Sequence, residues 1–201
     1  GGAVLPQGVD TEMFDPGRFD RDVLRREWGL SDFKVMTFIG DAYPHKGLSE
    51  VVAALERADD PAVRLVIVGA GGNPDYVAQL RQHPKVIYLG AQPYESVPMF
   101  LSMADLVVLP QRLGPYSAGQ LPNKLFEALM MGKPVVSTPY WHAEELLAGG
   151  VGVLTPFGDS DAMGAQVLAL LDNDDIREAV SARAWRNVLA AAYPEQRVPW
   201  R

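Results

Sequence analysis

Three observations predict an α/β fold built on a doubly wound parallel sheet. Short runs rich in Val, Ile and Leu alternate with helical patterns along the chain. Those runs carry almost no polar interruption, as strands buried on both faces do, so helices must cover the sheet on each side. Most runs end at Gly or Pro shortly before a helical pattern starts, which is the mark of a strand, a turn and a returning helix.

In order, KVMTFIG (34–40) reads as a buried strand, and GLSEVVAALERA follows with Leu48, Val51, Val52 and Leu55 at helical spacing. VRLVIVG (63–69) precedes the helix PDYVAQLRQ, and KVIYLG (85–90) precedes YESVPMFLSM. DLVVLP (105–110) leads through a long loop to PNKLFEALMM, a helix expected to begin near Pro122. KPVVSTP (133–139) and GVGVLTP (150–156) each feed a further helix, the second being DAMGAQVLALL. The segment from REAVSARAWRNVLAAAY is expected to stay helical until Pro194. The whole of 1–201 is thus expected to form one Rossmann-like domain, with a core over about 20–190 and a tail of Pro, Arg and Trp over 191–201.

Composition narrows the functional classes. The chain has 201 residues, is 48% hydrophobic and has no cysteine, so disulfides, thiolate metal sites and cysteine nucleophiles are excluded. A net charge of −7 without clustered Lys and Arg argues against nucleic-acid binding and against a basic membrane patch. His45, His83 and His142 lack metal-ligand spacing and read as partly exposed loop residues. No secretory signal or membrane span is seen, which together with the lack of cysteine fits a cytoplasmic protein.

Ligands of doubly wound sheets bind beyond the C-terminal ends of the strands, so attention falls on 40–47, 69–73, 90–94 and 110–127. GDAYPHKG (40–47) is not a Walker loop, because His45 and Gly47 flank Lys46 where Gly and Ser or Thr are required. GAGGNP is not a dinucleotide fingerprint either, because Pro74 replaces its third glycine and instead starts a helix capped by Asn73. Lys46 nevertheless stands at a strand's C-terminal edge beside a helix N-terminus, a setting that suits an anion as well as a plain solvated lysine. The loop with Gly114, Ser117 and Gly119 could form a second anion cradle. On the helix after it, Asn123, Lys124 and Glu127 share a face while Leu125, Ala128 and Leu129 point to the core; a surface Lys124–Glu127 ion pair is the plain alternative. Glu144 and Glu145 read as a helix's acidic first turn, and Asp10 and Asp15 as turn residues.

Taken in order, QGVDTEMFDP, GDAYPHKG, LVIVGAGG, VIYLGAQP, ADLVVLP, KLFEALMMGKPVVSTP and GGVGVLTPFGDSDAM resemble the C-terminal half of a GT-B glycosyltransferase, most like the retaining family 4 of group 1. The resemblance spans nearly the whole chain. It implies a site for a nucleoside-diphosphate sugar, with Lys46 at the diphosphate and Glu127 on the ribose hydroxyls. Gly40, Asp41, Gly47, Gly69, Ala91, Gln92, Leu121, Pro122 and Asn123 would line it, Ala91 and Gln92 beside the base and Leu121 and Pro122 beside the diphosphate.

Two positions depart from the family pattern. Asp41 stands where an arginine is common, and Gly119 stands where the first of two glutamates is expected. LPNKLFEAL resembles a family sub-pattern in which a lysine precedes the retained acid, which makes Lys124 the candidate for restoring the missing cation and completes an implied catalytic set of Lys46, Lys124 and Glu127. The implied reaction is transfer of a sugar to an acceptor hydroxyl with no metal and no cofactor beyond the donor itself. A GT-B enzyme closes two domains over its cleft, so the N-terminal acceptor domain is the expected partner and this chain alone is expected to be inactive. Any approach to the inner face of a membrane is expected to come from that half. The runner-up is a nucleotide-sugar 2-epimerase of the same architecture, and a non-catalytic nucleotide-binding or interaction module is the reading from another class.

Overall fold

The computed structural model describes residues 9–57, 60–114, 123–140, 143–148 and 150–192, with side chains as far as Ala184. Six strands, β1 (Lys34–Ile39), β2 (Val63–Val68), β3 (Val86–Gly90), β4 (Leu106–Leu109), β5 (Val135–Ser137) and β6 (Gly152–Leu154), form one sheet in the order β3-β2-β1-β4-β5-β6. Every pairing is parallel. The fold class read from the sequence is therefore the one observed.

Strand side chains alternate strictly between two cores. Val35, Ile39, Val66, Val68, Val107, Leu109 and Val135 face one, and Met36, Phe38, Leu65, Ile67, Leu106, Val108 and Val136 face the other. The first core is closed by α4 (Val97–Met103), α5 (Asn123–Met130) and α6 (Ala143–Leu147), and the second by α2 (Leu48–Arg57), α3 (Pro74–Gln82) and α7 (Ser160–Leu171). The last helix, α8 (Asp174–Ala192), reaches both through Val180 and Ala184. A fully buried side chain of this size contributes roughly 1.5–3 kcal/mol, so the strands are held mainly by these layers.

Helix starts follow local chemistry. Asn73 Oδ1 accepts the Tyr76 N–H at 3.0 Å with Pro74 in the first turn, and Asp159 caps α7 through the N–H groups of Asp161 and Ala162. Asp10 and Asp15 are turn residues as read, accepting N–H groups two or three residues on. Glu144 and Glu145 do lie in the first turn of α6. The strands are one to four residues shorter in all than the apolar runs; the closing Gly or Pro lies outside the strand in every case but β3, where Gly90 still pairs with Val68.

One element is absent from the sequence reading, α1 (Arg21–Glu27). Its sequence RDVLRRE offers only two apolar residues, so it shows little periodicity. Asp20 caps it, and the buried Arg25 anchors it by donating to Asp105 at 2.6 Å and to the Met103 carbonyl at 2.9 Å. Among the described residues, no helix is long and apolar enough to cross a membrane.

The strand order reverses between β1 and β4, whose following helices α2 and α5 lie on opposite faces. That divergence opens a crevice at the C-terminal ends of β1 and β4, where ligands of such sheets bind.

Candidate functional site

The crevice is shaped by close backbone approaches. At the end of β1, Gly40 has φ +133°, and a Cβ built there would overlap the Lys124 ammonium. Gly47, at φ +71°, closes the 3-10 turn Pro44–Lys46, and a Cβ there would overlap the carbonyl of Pro110 at the exit of β4. Only glycine fits either position. The loops after β1 and β4 are tied further: Arg112 N–H donates to the His45 carbonyl at 3.0 Å, and Arg112 Nε to Glu50 Oε1 at 2.6 Å.

Asp41 does not point at the crevice as a competing anion without a task. Its Oδ1 accepts the Gly71 N–H at 3.0 Å, while Ala42 N–H donates to the Gly71 carbonyl at 2.9 Å. Asp41 thus stitches the loop after β1 to the loop after β2. Gly69 ends β2 alongside, its N–H donating to the Gly90 carbonyl at 3.0 Å. The Asp41 charge still favours protonation of Lys46 and Lys124. Burial acts the other way and lowers the Lys46 pKa.

Lys124 enters from the first turn of α5 and crosses the sheet edge. Its ammonium sits against the Gly40 α-carbon and 5.4 Å from the centre of the Phe38 ring. Burial, then the Lys46 charge, brings its pKa down to about 8. Among the described residues it forms no hydrogen bond and no ion pair, and the surface Lys124–Glu127 bridge does not occur.

Glu127 instead accepts the phenol of Tyr94 at 2.8 Å through Oε1. It is 6% exposed, and burial raises its pKa against the opposing effects of Tyr94 and Lys124. Asn123, one turn earlier, is exposed. On the β3 side, Gly90 turns the chain at φ +73°, Ala91 is exposed, and Gln92 folds back to donate to the Leu89 carbonyl at 3.2 Å.

Lys46, Lys124, Glu127, Gly40, Asp41, Gly47, Gly69 and Asn123 therefore gather at one sheet edge, with Ala91 and Gln92 on the adjoining loop. Leu121, Pro122 and the proposed cradle around Ser117 and Gly119 lie outside the described residues, as do His142 and Pro194. Two residues of the crevice were not singled out in the sequence. Tyr94 falls within the stretch 90–94, but an isolated tyrosine gives no sign of the carboxylate it meets. Gln111, two residues after β4, is 7% exposed, and its Nε2 finds no hydrogen-bond partner among the described residues. Among those residues no three His, Asp or Glu cluster as metal ligands.

Comparison with known proteins identifies the family and the fold. The chain is 30% identical over 192 residues to a GDP-mannose-dependent alpha-(1-6)-phosphatidylinositol monomannoside mannosyltransferase of Mycolicibacterium smegmatis, covering 90% of this chain and 50% of that one. The chain spans half or less of the length of the curated relatives it matches first. In fold it resembles Anabaena HepE in complex with UDP and glucose, with a TM-score of 0.79, 24% identity, and coverage of 91% of this chain and 50% of that one. It also matches the C-terminal domain of the group 1 family protein LpcC from Francisella tularensis, with a TM-score of 0.74, 19% identity, and coverage of 94% and 100%. The family described as glycosyl transferases group 1 matches residues 33–173, from the start of β1 to the end of α7, and the chain belongs to that family.

Proposed function

We propose that this chain is the donor half of a glycosyltransferase, binding a nucleoside-diphosphate sugar in the β1–β4 crevice for retaining transfer to an acceptor hydroxyl. The observation that carries this is Lys124, a largely dehydrated ammonium at the switch point with no carboxylate bonded to it among the described residues. A cation kept in that condition is poorly placed for stability and well placed for a diphosphate. The position of Lys46 beside the N-terminus of α2 adds to the same field.

As the bond between the anomeric carbon and the phosphate oxygen breaks, charge builds on the leaving diphosphate. Lys46 and Lys124, fixed beforehand, stabilise that charge more than they stabilise the intact donor. In this reading the two lysines do the work otherwise done by a metal ion, and Glu127 accepts from the ribose hydroxyls. The N-terminal domain of the complete enzyme supplies the acceptor side, in keeping with relatives about twice this length. The non-catalytic alternative rests on two departures, Asp41 and Gly119; commitment of Asp41 to the Gly71 N–H gives the first a structural task and supports the catalytic reading.

Calorimetric titration with UDP, GDP and ADP tests the proposal; UDP is present in the HepE structure and GDP-mannose appears in the names of the mannosyltransferase relatives. At least one should bind, and Lys124→Ala should weaken it by about tenfold or more. Absence of binding to all three overturns the donor assignment, and wild-type affinity in Lys124→Ala removes Lys124 from it.

A further inference from the structure

Tyr94 is the one side chain from outside α5 that bonds the Glu127 carboxylate among the described residues, and it reaches it from the far side of the crevice. It begins the 3-10 turn Tyr94–Ser96 that follows β3 and Pro93. Its ring is set by the fully buried Phe14, 5.9 Å between centroids and tilted by 57°, while 53% of the residue remains exposed. The hydroxyl itself is turned inward, where burial is the first cause of its raised pKa, and the partner it meets there is the Glu127 carboxylate.

We propose that Tyr94 is a positioning residue for recognition of the donor's ribose: its phenol occupies Oε1 of Glu127 and leaves Oε2 aimed at a single ribose hydroxyl. This rests on the donor reading above. A carboxylate held through one oxygen cannot rotate freely, and it offers a ligand diol one oxygen instead of the symmetrical two-oxygen grip of an unrestrained acid. The same bond favours the ionised form, which accepts from a hydroxyl, over the protonated form, which burial promotes. The groups acting on Glu127 are Tyr94 from the β3 loop and Lys124 on its own helix, and Asp10 from the N-terminal segment acts on Tyr94. Removal of the phenol oxygen therefore loosens the acid and raises its pKa while leaving the ring on Phe14.

The test titrates the chain with the nucleoside diphosphate that binds best and with its 2′-deoxy and 3′-deoxy forms, from pH 5 to 8. Wild type should prefer the ribonucleotide over one deoxy form by about tenfold at pH 8, and less at the acid end, where Glu127, its pKa raised by burial, is more protonated. Tyr94→Phe should show a weaker preference whose pH profile lies at higher pH than that of wild type, with an unchanged melting temperature. Glu127→Gln should show little preference at any pH. Equal preference and an unchanged pH profile in Tyr94→Phe overturn the role of Tyr94 alone. If wild type and Glu127→Gln both bind the deoxy forms as well as the ribonucleotide, the ribose role of Glu127 falls, and this assignment falls with it.

Discussion

The two ends of the sheet use buried cations in opposite ways. Beyond the N-terminal end of β4 lies a cleft of about 480 Å³ lined by Arg21, Asp105, Lys133, Asp174, Arg177, Glu178 and others. There the charges are matched by the protein. Arg21 and Arg25 both pair with Asp105, and Asp105 also accepts the Val35 N–H at 2.7 Å. Lys133 donates to the Ser102 and Ala104 carbonyls at the C-terminus of α4, and Arg177 to those of Leu170 and Leu171 at the C-terminus of α7. At the C-terminal end, Lys124 among the described residues lies against the Phe38 ring and Gly40 and donates no hydrogen bond. Both buried lysines have lowered pKa values, about 7 for Lys133 and about 8 for Lys124, so burial alone does not separate them. What separates them is whether the described residues supply acceptors: Lys133 and Arg177 have them and hold helices in place, and Lys124, with none among the described residues, is open to a ligand.

The most severe way to break this contrast is at the matched end. Asp105→Asn leaves Arg25 buried with one charge partner gone and weakens the attachment of α1. A loss of about 3–5 kcal/mol is expected by urea unfolding, as for other broken buried pairs. A loss under about 1 kcal/mol would mean that the N-terminal network is not the structural end of the sheet.

A smaller effect is expected at Gly40, where stability and the site meet. Gly40→Ala forces a side chain into a left-handed backbone region and into the seat of the Lys124 ammonium. About 1–2 kcal/mol of stability should be lost through backbone strain. Nucleoside diphosphate affinity should fall together with it, since the displaced ammonium no longer addresses the crevice. Loss of stability with unchanged affinity would detach the seat of Lys124 from binding.

The legible parts of the molecule are those decided locally. The Asn73–Pro74 helix start, the acidic turn at Glu144 and Glu145, and the two-sided burial of β1, β2 and β4 all follow from residues within a few positions of one another. The order of motifs located the crevice for the same reason, because each strand announces its own C-terminal end. Pairings across the chain were not legible. Asp41 looked like a misplaced anion because its partner, Gly71, is 30 residues away. The bond from Tyr94 to Glu127 spans 33 residues, and that from Arg25 to Asp105 spans 80. α1 was missed because its stability comes from that distant acid rather than from an apolar stripe.

The most direct measure of the contrast is the charge of Lys124 itself. Lys124 has an ordinary pKa of 10.5 when unfolded and about 8 in the fold. Below pH 8 it is charged in both states, and the fold carries the full penalty of holding a dehydrated ammonium. Between pH 8 and 10.5 the unfolded chain binds a proton that the folded chain has released, so stability rises with pH. Above 10.5 the amine is neutral in both states and the penalty is gone. Lys124→Met should therefore stabilise the chain at pH 7 by about 1–2 kcal/mol, allowing for partial solvent screening, and that advantage should shrink toward nothing by pH 10.5. The matching change at the other end, Lys133→Met, should destabilise at pH 7, because the Ser102 and Ala104 carbonyls lose their donor. Urea unfolding of both variants across pH 7–10.5 measures the pair. If Lys124→Met is no more stable than wild type at pH 7, or if Lys133→Met stabilises as much, then acceptor supply does not distinguish the two ends, and Lys124 ceases to mark a ligand site on physical grounds.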